Sequence, residues 1–486
     1  MPKRHPELLV LALDIGTSST RAALFNRRAQ RLAQRIAAKQ YTVAYGSDGR
    51  AELAPATVLG AVKTVLHECL RPLQSVPAGR RPPLVIAGSA LWHGLLGLNH
   101  RLQPITPIFT WADSRAAAAA RGLRSQFDEG RVHQRTGCLL RASYWPAKLI
   151  WLKRSQPKLF HRVAYWVSPS DWLFYRIFGE LRTSASMASG TGLYRLDSHT
   201  WDDQLLSACE IKAAQLPSVG DSFTQTGADW VNHVYCAIGD GAASNLGSGA
   251  DRPLVTAINV GTSAAVRTVL PCNRITESLP FGLFRYAIDH QHHLVGGAIS
   301  NAGNLRQWCL RTLRLPADEG ALDRLLSRDM AATDSLTVLP FLVQERAPTW
   351  PENVPGVIWG LEQGTNPGQI ARASATAVFY RLGQIIDEME SWLGRLTRIV
   401  VSGGIVRSPA TIALLADAIG RGVGISAEPE ASLRGAAVYA LKQLGQQISG
   451  PRPKVVRHNR RLARLHRVRC KRQVKLERTM KLNPLI

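Results

Sequence analysis

Acidic residues are scarce in this 486-residue chain: 35 Asp and Glu stand against 60 Lys and Arg, a formal charge of +25. Long apolar runs are missing. No stretch of about 18 uncharged apolar residues occurs, so no transmembrane helix is expected. Met1 to Val10 is too short and too poor in small residues for a secretory signal. There is no C-x-x-C pair. The seven cysteines (Cys69, Cys138, Cys209, Cys236, Cys272, Cys309, Cys470) are scattered and odd in number. That argues against a disulfide framework and a zinc site, and a reducing cytoplasm is the expected setting. Three nucleotide signatures are absent as well. No G-x-x-x-x-G-K-S/T occurs, and no H-R-D with D-F-G. Gly239-Asp240-Gly241 lacks the third glycine of a dinucleotide fingerprint and precedes a strand instead of following one.

What is present is ordinary globular composition, 45% hydrophobic and 20% charged, which excludes collagen-like, low-complexity and wholly disordered chains. The length implies two large domains or three smaller ones. The charge is uneven. From Pro451 to Ile486 there are thirteen Lys and Arg and one acid, Glu477. This tail is a unit of its own by composition, and Leu462, Leu465 and Val468 recur at helical spacing. Its two readings are an arm for nucleic acid, anionic lipid or an acidic partner, and a solvated, partly helical extension.

Buried strands are read at Leu8–Leu13, Leu84–Ala87, Leu254–Val260 and Ile399–Val401, each running into a Gly, Ser or Thr turn. Helices are read at Arg115–Leu123, Trp172–Ile177 (capped from Pro169-Ser170-Asp171 and stopped by Gly179) and Ser432–Gly445. Alternation of this kind indicates an α/β fold. An internal repeat sharpens it: Ala12-Leu-Asp-Ile-Gly-Thr-Ser18 aligns without gaps on Ala257-Ile-Asn-Val-Gly-Thr-Ser263. The copies differ where it matters, Asp14 against Asn259. One acid can hold a cation that bridges to phosphate, whereas two would repel a polyphosphate.

Each turn exposes backbone N–H groups and hydroxyls on a backbone that glycine lets approach closely, which suits phosphate oxygens. Gly16, Thr17 and Ser18 form the first, with Arg21 adding positive charge; Gly261 and Thr262 form the second. Ser402-Gly403-Gly404 makes a third. Asp240, between two glycines, is the expected general base, able to take a proton from a hydroxyl that attacks a γ-phosphate.

The chain resembles the FGGY carbohydrate kinases, on the actin-like ATPase fold, from about Leu8 to about Gly445. The resemblance rests on Asp14-Ile-Gly-Thr-Ser-Ser-Thr-Arg21, Trp111-Ala-Asp-Ser-Arg115, Gly239-Asp-Gly-Ala-Ala243, Asn259-Val-Gly-Thr262, Pro340-x4-Glu345-Arg-x-Pro-x-Trp350, Ser402-Gly-Gly404 and Leu433-Arg-Gly-Ala-Ala437. It implies two actin-like (ribonuclease H-like) α/β domains flanking a deep cleft, residues 1–245 and 246–450, with the basic tail over 451–486. It also implies ATP and Mg²⁺, with Asp14 near the metal, Asp240 as base, and Gly303, Gln307, Gly403, Gly404 and Ser408 on the nucleotide side.

On the acceptor side the resemblance marks Trp92, His93, Gly94, Trp111, Asp113, Arg115 and Tyr144. His133-Gln-Arg-Thr-Gly-Cys138 and Ser143–Leu149 are closer to gluconate-kinase-like members than to xylulose- or glycerol-kinase-like ones. Arg115, Arg141 and Lys148 would suit a carboxylate. The expected reaction is gluconate to 6-phosphogluconate. A ketose kinase of the xylulokinase type is the first alternative, and a catalytically silent sugar- or nucleic-acid-binding protein the second. Trp92 and Gln344 depart from the usual residues at their positions and leave the acceptor open. The partners implied are ATP and a sugar or sugar acid, with no membrane. A homodimer is compatible, and nucleic acid enters only through the tail.

Overall fold

The computed structural model describes residues 7–482, apart from 33–35, 78–79, 225–230, 276, 328–334 and 352–353. Met1–Pro6 of the N-terminal segment and the last four residues of the tail lie outside the described residues.

Two sheets organise the chain. The first runs Ser222–Phe223, Val231–Gly239, Leu84–Ala90, Leu9–Ile15, Ser19–Phe25, Ala37–Gln40 from edge to edge. The second runs Phe284–Ala287, His292–Ile299, Ala264–Pro271, Val255–Val260, Arg398–Gly403, Val423–Ile425, Lys454–Val456. Leu9–Ile15 is buried at all seven positions, as a continuous apolar run requires when both faces of a sheet are covered. The sequence repeat is a repeat of topology. Leu9–Ile15 pairs parallel with Leu84–Ala90 and antiparallel with Ser19–Phe25. Val255–Val260 does the same with Arg398–Gly403 and Ala264–Pro271. In register, Asp14 stands opposite Ser89 and Asn259 opposite Ser402.

Most boundaries shift by one to three residues from the sequence reading, and two of the shifts have a clear local reason. The alanine-rich helix begins at Ala117, because Arg115 is held back by its bonds to Asp113. The helix Pro169–Phe178 is capped one residue earlier than read, by Ser168. Asp171 at the third helical position returns the bond, forming a capping box, and Gly179 closes the helix in the left-handed conformation at φ 85°.

The small-residue helix Ala431–Gln443 comes from the C-terminal half but packs on the first sheet, against Leu9–Ile15, Leu84–Ala90 and the helix Asp240–Ser248. Leu433, Ala436, Ala437 and Leu441 join the same core cluster as Val10, Leu11 and Ile86. The approach of the two helices is close enough to exclude any side chain at two positions. A Cβ on Gly435 would lie 1.7 Å from the Ala243 carbonyl oxygen, and one on Gly247 1.8 Å from that of Ala431. Gly435→Ala is therefore expected to force the helices apart at a cost of about 1–3 kcal/mol or more, with lower kcat because Asp240 opens one of them. Urea denaturation alongside a turnover assay checks both.

The tail is built into the fold. Lys454–Val456 adds an antiparallel strand beside Val423–Ile425, and Arg460–Leu482 is a helix. Its buried positions are His466, Gln473 and Glu477, which share one helical face. Val468, which its spacing groups with Leu462 and Leu465, points outward at 59% exposure. The inward face is polar and each group on it is matched. His466 Nδ1 meets the Tyr380 hydroxyl at 2.8 Å. Gln473 donates to the carbonyls of Val338 and Ala377 at 2.9 and 3.1 Å. Glu477 accepts from Arg381 at 2.6 Å and from the Thr349 hydroxyl.

Candidate active site

Val231–Gly239 runs through the first sheet and delivers Asp240 at the first turn of the helix Asp240–Ser248. Gly239-Asp240-Gly241 thus does follow a strand, contrary to the sequence reading, because the polar Asn232 and His233 hide the strand's apolar run. The Gly241 N–H donates to Asp240 Oδ1 at 2.8 Å. The carboxylate is open to solvent at its tip, yet protein surrounds it on its other sides. That enclosure raises its pKa above the ordinary aspartate value; Arg267 and Arg346 pull it down, and Asp14 pushes it further up. Behind the base sits Trp92. A Cβ on Gly239 would lie 1.8 Å from the indole, and one on Gly190 2.3 Å from it. The indole N–H donates to the Ser186 carbonyl at 2.9 Å, and Trp92 is 5% exposed. Marked by resemblance for the acceptor, Trp92 thus has its ring covered by backbone and acts as the wedge that sets the Asp240 loop.

Asp14 is buried at the end of its strand. Ser89 Oγ donates to Oδ1 at 2.8 Å and Arg21 to Oδ2 at 2.9 Å. Burial raises its pKa against the pull of Arg21. Arg21 also binds Glu430, so one guanidinium ties the first sheet to the segment that leads into Ala431–Gln443. The other copy of the repeat mirrors this with neutral groups: Asn259 Nδ2 donates to Ser402 Oγ at 3.1 Å.

The turns hold their shape by backbone contacts. Gly16 N–H donates to Ser19 O at 2.9 Å, and Gly261 N–H to Ser263 O at 2.9 Å. Gly303 opens the helix Gly303–Thr312 directly over the second turn; its N–H reaches Gly261 O at 3.0 Å, and a Cβ there would lie 2.4 Å from the same oxygen. Gly403 sits at φ 91° with Val260 O 2.4 Å from an added Cβ, a place only glycine fits. Thr17 Oγ1 accepts from the Trp111 indole at 3.3 Å, which joins the phosphate turn to the acceptor side. Ser18, Thr262, Gln307 and Gly404 are accessible. Ser408 differs: its hydroxyl caps the helix Pro409–Ile419 through the Thr411 N–H and bonds Asp323, so it is already engaged.

On the acceptor side His93 lies at φ 65°, with its ring against Tyr144 and Tyr286. Nδ1 faces the Gly190 carbonyl, which only accepts, so Nδ1 carries the proton. Burial lowers the ring pKa to about 3. His93 is therefore neutral at working pH, and Nε2 is an acceptor available to a hydroxyl. The hydroxyls of Tyr144 and Tyr286 meet at 2.6 Å. Gly94 is a packing position: a Cβ there would meet Pro169, and its carbonyl accepts from the Trp145 indole.

The cationic groups read for a carboxylate are elsewhere engaged. Arg115 pairs with Asp113 and Glu52 and stacks 4.4 Å from the Trp151 ring centroid. Asp113 accepts from Arg115 and from the Ala51 N–H. Arg141 pairs with Glu129 and lies over Trp350. Lys148 donates to the carbonyls of His93 and Thr110, both at 2.8 Å, and burial lowers its pKa to about 7. These side chains build the wall of the site, and Arg115, Arg141 and Lys148 are each engaged within the protein.

Two arginines that spacing did not single out stand beside the base instead. Arg346 donates to Ser300 Oγ and the Ile299 carbonyl, at 3.1 and 3.0 Å, and stacks 5.3 Å from the Trp111 centroid. Glu345, fixed by the N–H groups of Ser300 and Arg346 and by Asn301, holds that loop. Arg267 lies against Gly241, where an added Cβ would be 2.9 Å from its Cζ. The signal for Arg267 was one charge inside an otherwise apolar strand, Ala264–Leu270. Arg346 was visible as part of the Pro340–Trp350 motif.

The N-terminal domain of the FGGY family of carbohydrate kinases matches residues 9–240, and the C-terminal domain residues 256–444. A gluconokinase of Bacillus subtilis (strain 168) is 26% identical over 460 residues, 90% of this chain and 88% of its own. A glycerol kinase of Koribacter versatilis (strain Ellin345) is 26% identical over 452 residues, 89% of each. Among solved structures, gluconate kinase from Lactobacillus acidophilus is 25% identical with a TM-score of 0.87, covering 98% of both chains. A ligand-bound xylulose kinase from the same species has the same TM-score at 24% identity, over 97% of this chain and 98% of that one, a likeness of fold. With both family domains present in order along two actin-like α/β domains, the chain belongs to the FGGY family of carbohydrate kinases.

Proposed function

We propose that the protein phosphorylates a terminal hydroxyl of a sugar acid of the gluconate class, with Asp240 as general base. The observation that carries the chemistry is the placement of Asp240: a carboxylate open at its tip, backed by Trp92, and facing the phosphate turns through Asp14. The acceptor hydroxyl loses its proton to Asp240 as its oxygen bonds to the γ-phosphorus. The bond from that phosphorus to the β,γ-bridging oxygen breaks, and ADP leaves. Gly16–Ser18 and Gly261–Thr262 are the residues to cradle phosphate, with Gly303, Gln307, Gly403 and Gly404 toward the nucleoside. Asp14 would hold Mg²⁺. One or two carboxylates with substrate phosphates are the usual Mg²⁺ donors, and Asp14 would supply one. Bound there, the ion would neutralise charge on the phosphates. His93 Nε2 and the Tyr144–Tyr286 pair orient the acceptor hydroxyls.

The reading of a sugar acid is supported by the local charge, two arginines beside one base, and by the likeness to gluconokinases. The test is ADP release with Mg-ATP against D-gluconate, D-xylulose, L-ribulose, glycerol and no acceptor. Stimulation by gluconate at least tenfold above every neutral acceptor is expected. Preference for D-xylulose would replace the acid with a ketose and keep the base.

A further inference from the structure

We infer that Arg267 is the specificity-determining residue of this pocket, the donor that reads an anionic group on the acceptor; this rests on the sugar-acid reading. Among the described residues its side chain makes no hydrogen bond and no ion pair, and its Nε is buried without a partner. A partly buried guanidinium left in that state is costly unless something supplies acceptors. The rest of the residue is fixed. Its carbonyl accepts from Asn245 Nδ2 at 3.0 Å, and its strand is paired on both sides, at Ala257 and at Gly296. The group is thus held in place with its donors open.

Its position separates acceptor from nucleotide. Arg267 follows Thr262 by five residues along a strand, about 17 Å at about 3.3 Å per residue, so its guanidinium does not return to the phosphate turn. It lies instead against Gly241, next to the base, and near Tyr286. The open guanidinium gives the ligand its chemistry, a group that offers acceptors. Asp14 is paired with Arg21, and Glu345 is occupied by three N–H donors. Glu345 is also the first counter-charge of Arg346, which leaves Asp240 as the carboxylate that Arg267 faces, without a bond between them. Arg346 has its donors and its face engaged by Ser300, Ile299 and Trp111. A carboxylate on the acceptor would take the open fork of Arg267 in the planar two-point contact that guanidinium favours.

The experiment compares D-gluconate with D-glucitol, which differs only in carrying CH2OH in place of the carboxylate. In Arg267→Met, compared at a pH above the acid limb of both proteins, kcat/KM for gluconate should fall about 10- to 100-fold, mostly through KM, and the loss for glucitol should be at least about tenfold smaller. Arg267→Lys should recover part of the gluconate loss. Calorimetric binding of gluconate to the full chain, without ATP, should weaken by a similar factor. An equal loss for both acceptors would overturn the inference and make Arg267 a positioning residue for Asp240; unaltered gluconate kinetics would also overturn it. A wild-type enzyme that ignores gluconate and other sugar acids but turns over a neutral sugar overturns the sugar-acid reading, and this inference with it. Loss confined to Arg267→Met overturns neither.

Discussion

Asp240→Asn is expected to lower kcat by about 10²- to 10⁴-fold, the usual contribution of a general base, while ATP affinity stays near that of the wild type. Asparagine has nearly the same shape and its carbonyl can still accept from the Gly241 N–H, so only proton acceptance is removed. Stability should move the other way. Burial lifts the Asp240 pKa above its unfolded value, so the group favours the folded state below the unfolded pKa, and that contribution is lost as pH rises through the folded pKa. At neutral pH the charged carboxylate is a net cost, and Asn removes it. A melting temperature equal to or above that of the wild type, together with the loss of turnover, would separate chemistry from folding. A variant that keeps ordinary turnover would remove Asp240 from the mechanism. The same shift sets the acid limb of the rate profile. The base works deprotonated, so kcat/KM should fall with decreasing pH at a higher pH than an exposed aspartate would give. Arg267, Arg346 and Asp14 are the charges that face it. Taking away Arg267 should move that limb further up.

Glu477→Ala is the second large effect. It leaves Arg381, fully buried, without its counter-charge, and removal of one partner of a buried pair costs about 3–5 kcal/mol. The damage should reach the site. Arg381 also donates to the Ala347 carbonyl at 2.9 Å, and Thr349 donates to Glu477; both lie in the loop that carries Glu345 and Arg346. A rise in acceptor KM beside the loss of stability is therefore expected. The double variant Glu477→Leu with Arg381→Met should recover most of the stability, since a buried pair replaced by apolar groups of like size is often neutral. Guanidinium denaturation of the three proteins decides it, and a single variant as stable as the wild type would show that the tail helix is not anchored there.

Much of this was legible in the chain. The strands Leu9–Ile15 and Val255–Val260 announce themselves as apolar runs ending in Gly-Thr-Ser, and the difference between Asp14 and Asn259 survives as two matched hydrogen bonds of different charge. Asp240 was readable from its glycine neighbours. What spacing could not give was which polar groups would satisfy one another. Asp113 and Arg115 are two residues apart and bond each other, and Lys148 and Arg141 find partners from distant segments. Arg267 is the reverse case, a charge beside Asp240 whose side chain finds no hydrogen bond among the described residues. The helical reading of the tail holds, but its thirteen basic residues draw attention to the outside of the helix, while His466, Gln473 and the single acid Glu477 hold it to the fold.

The helix Ala431–Gln443 imposes an order of events on synthesis. The first sheet has all its strands once Gly239 has been made, but the helix that covers it arrives about 200 residues later. At about 5–20 residues per second that is a wait of roughly 10–40 s. For that time an apolar sheet face stands without its cover on a nascent chain. The N-terminal half therefore completes its core only after the C-terminal domain has been made through Gln443.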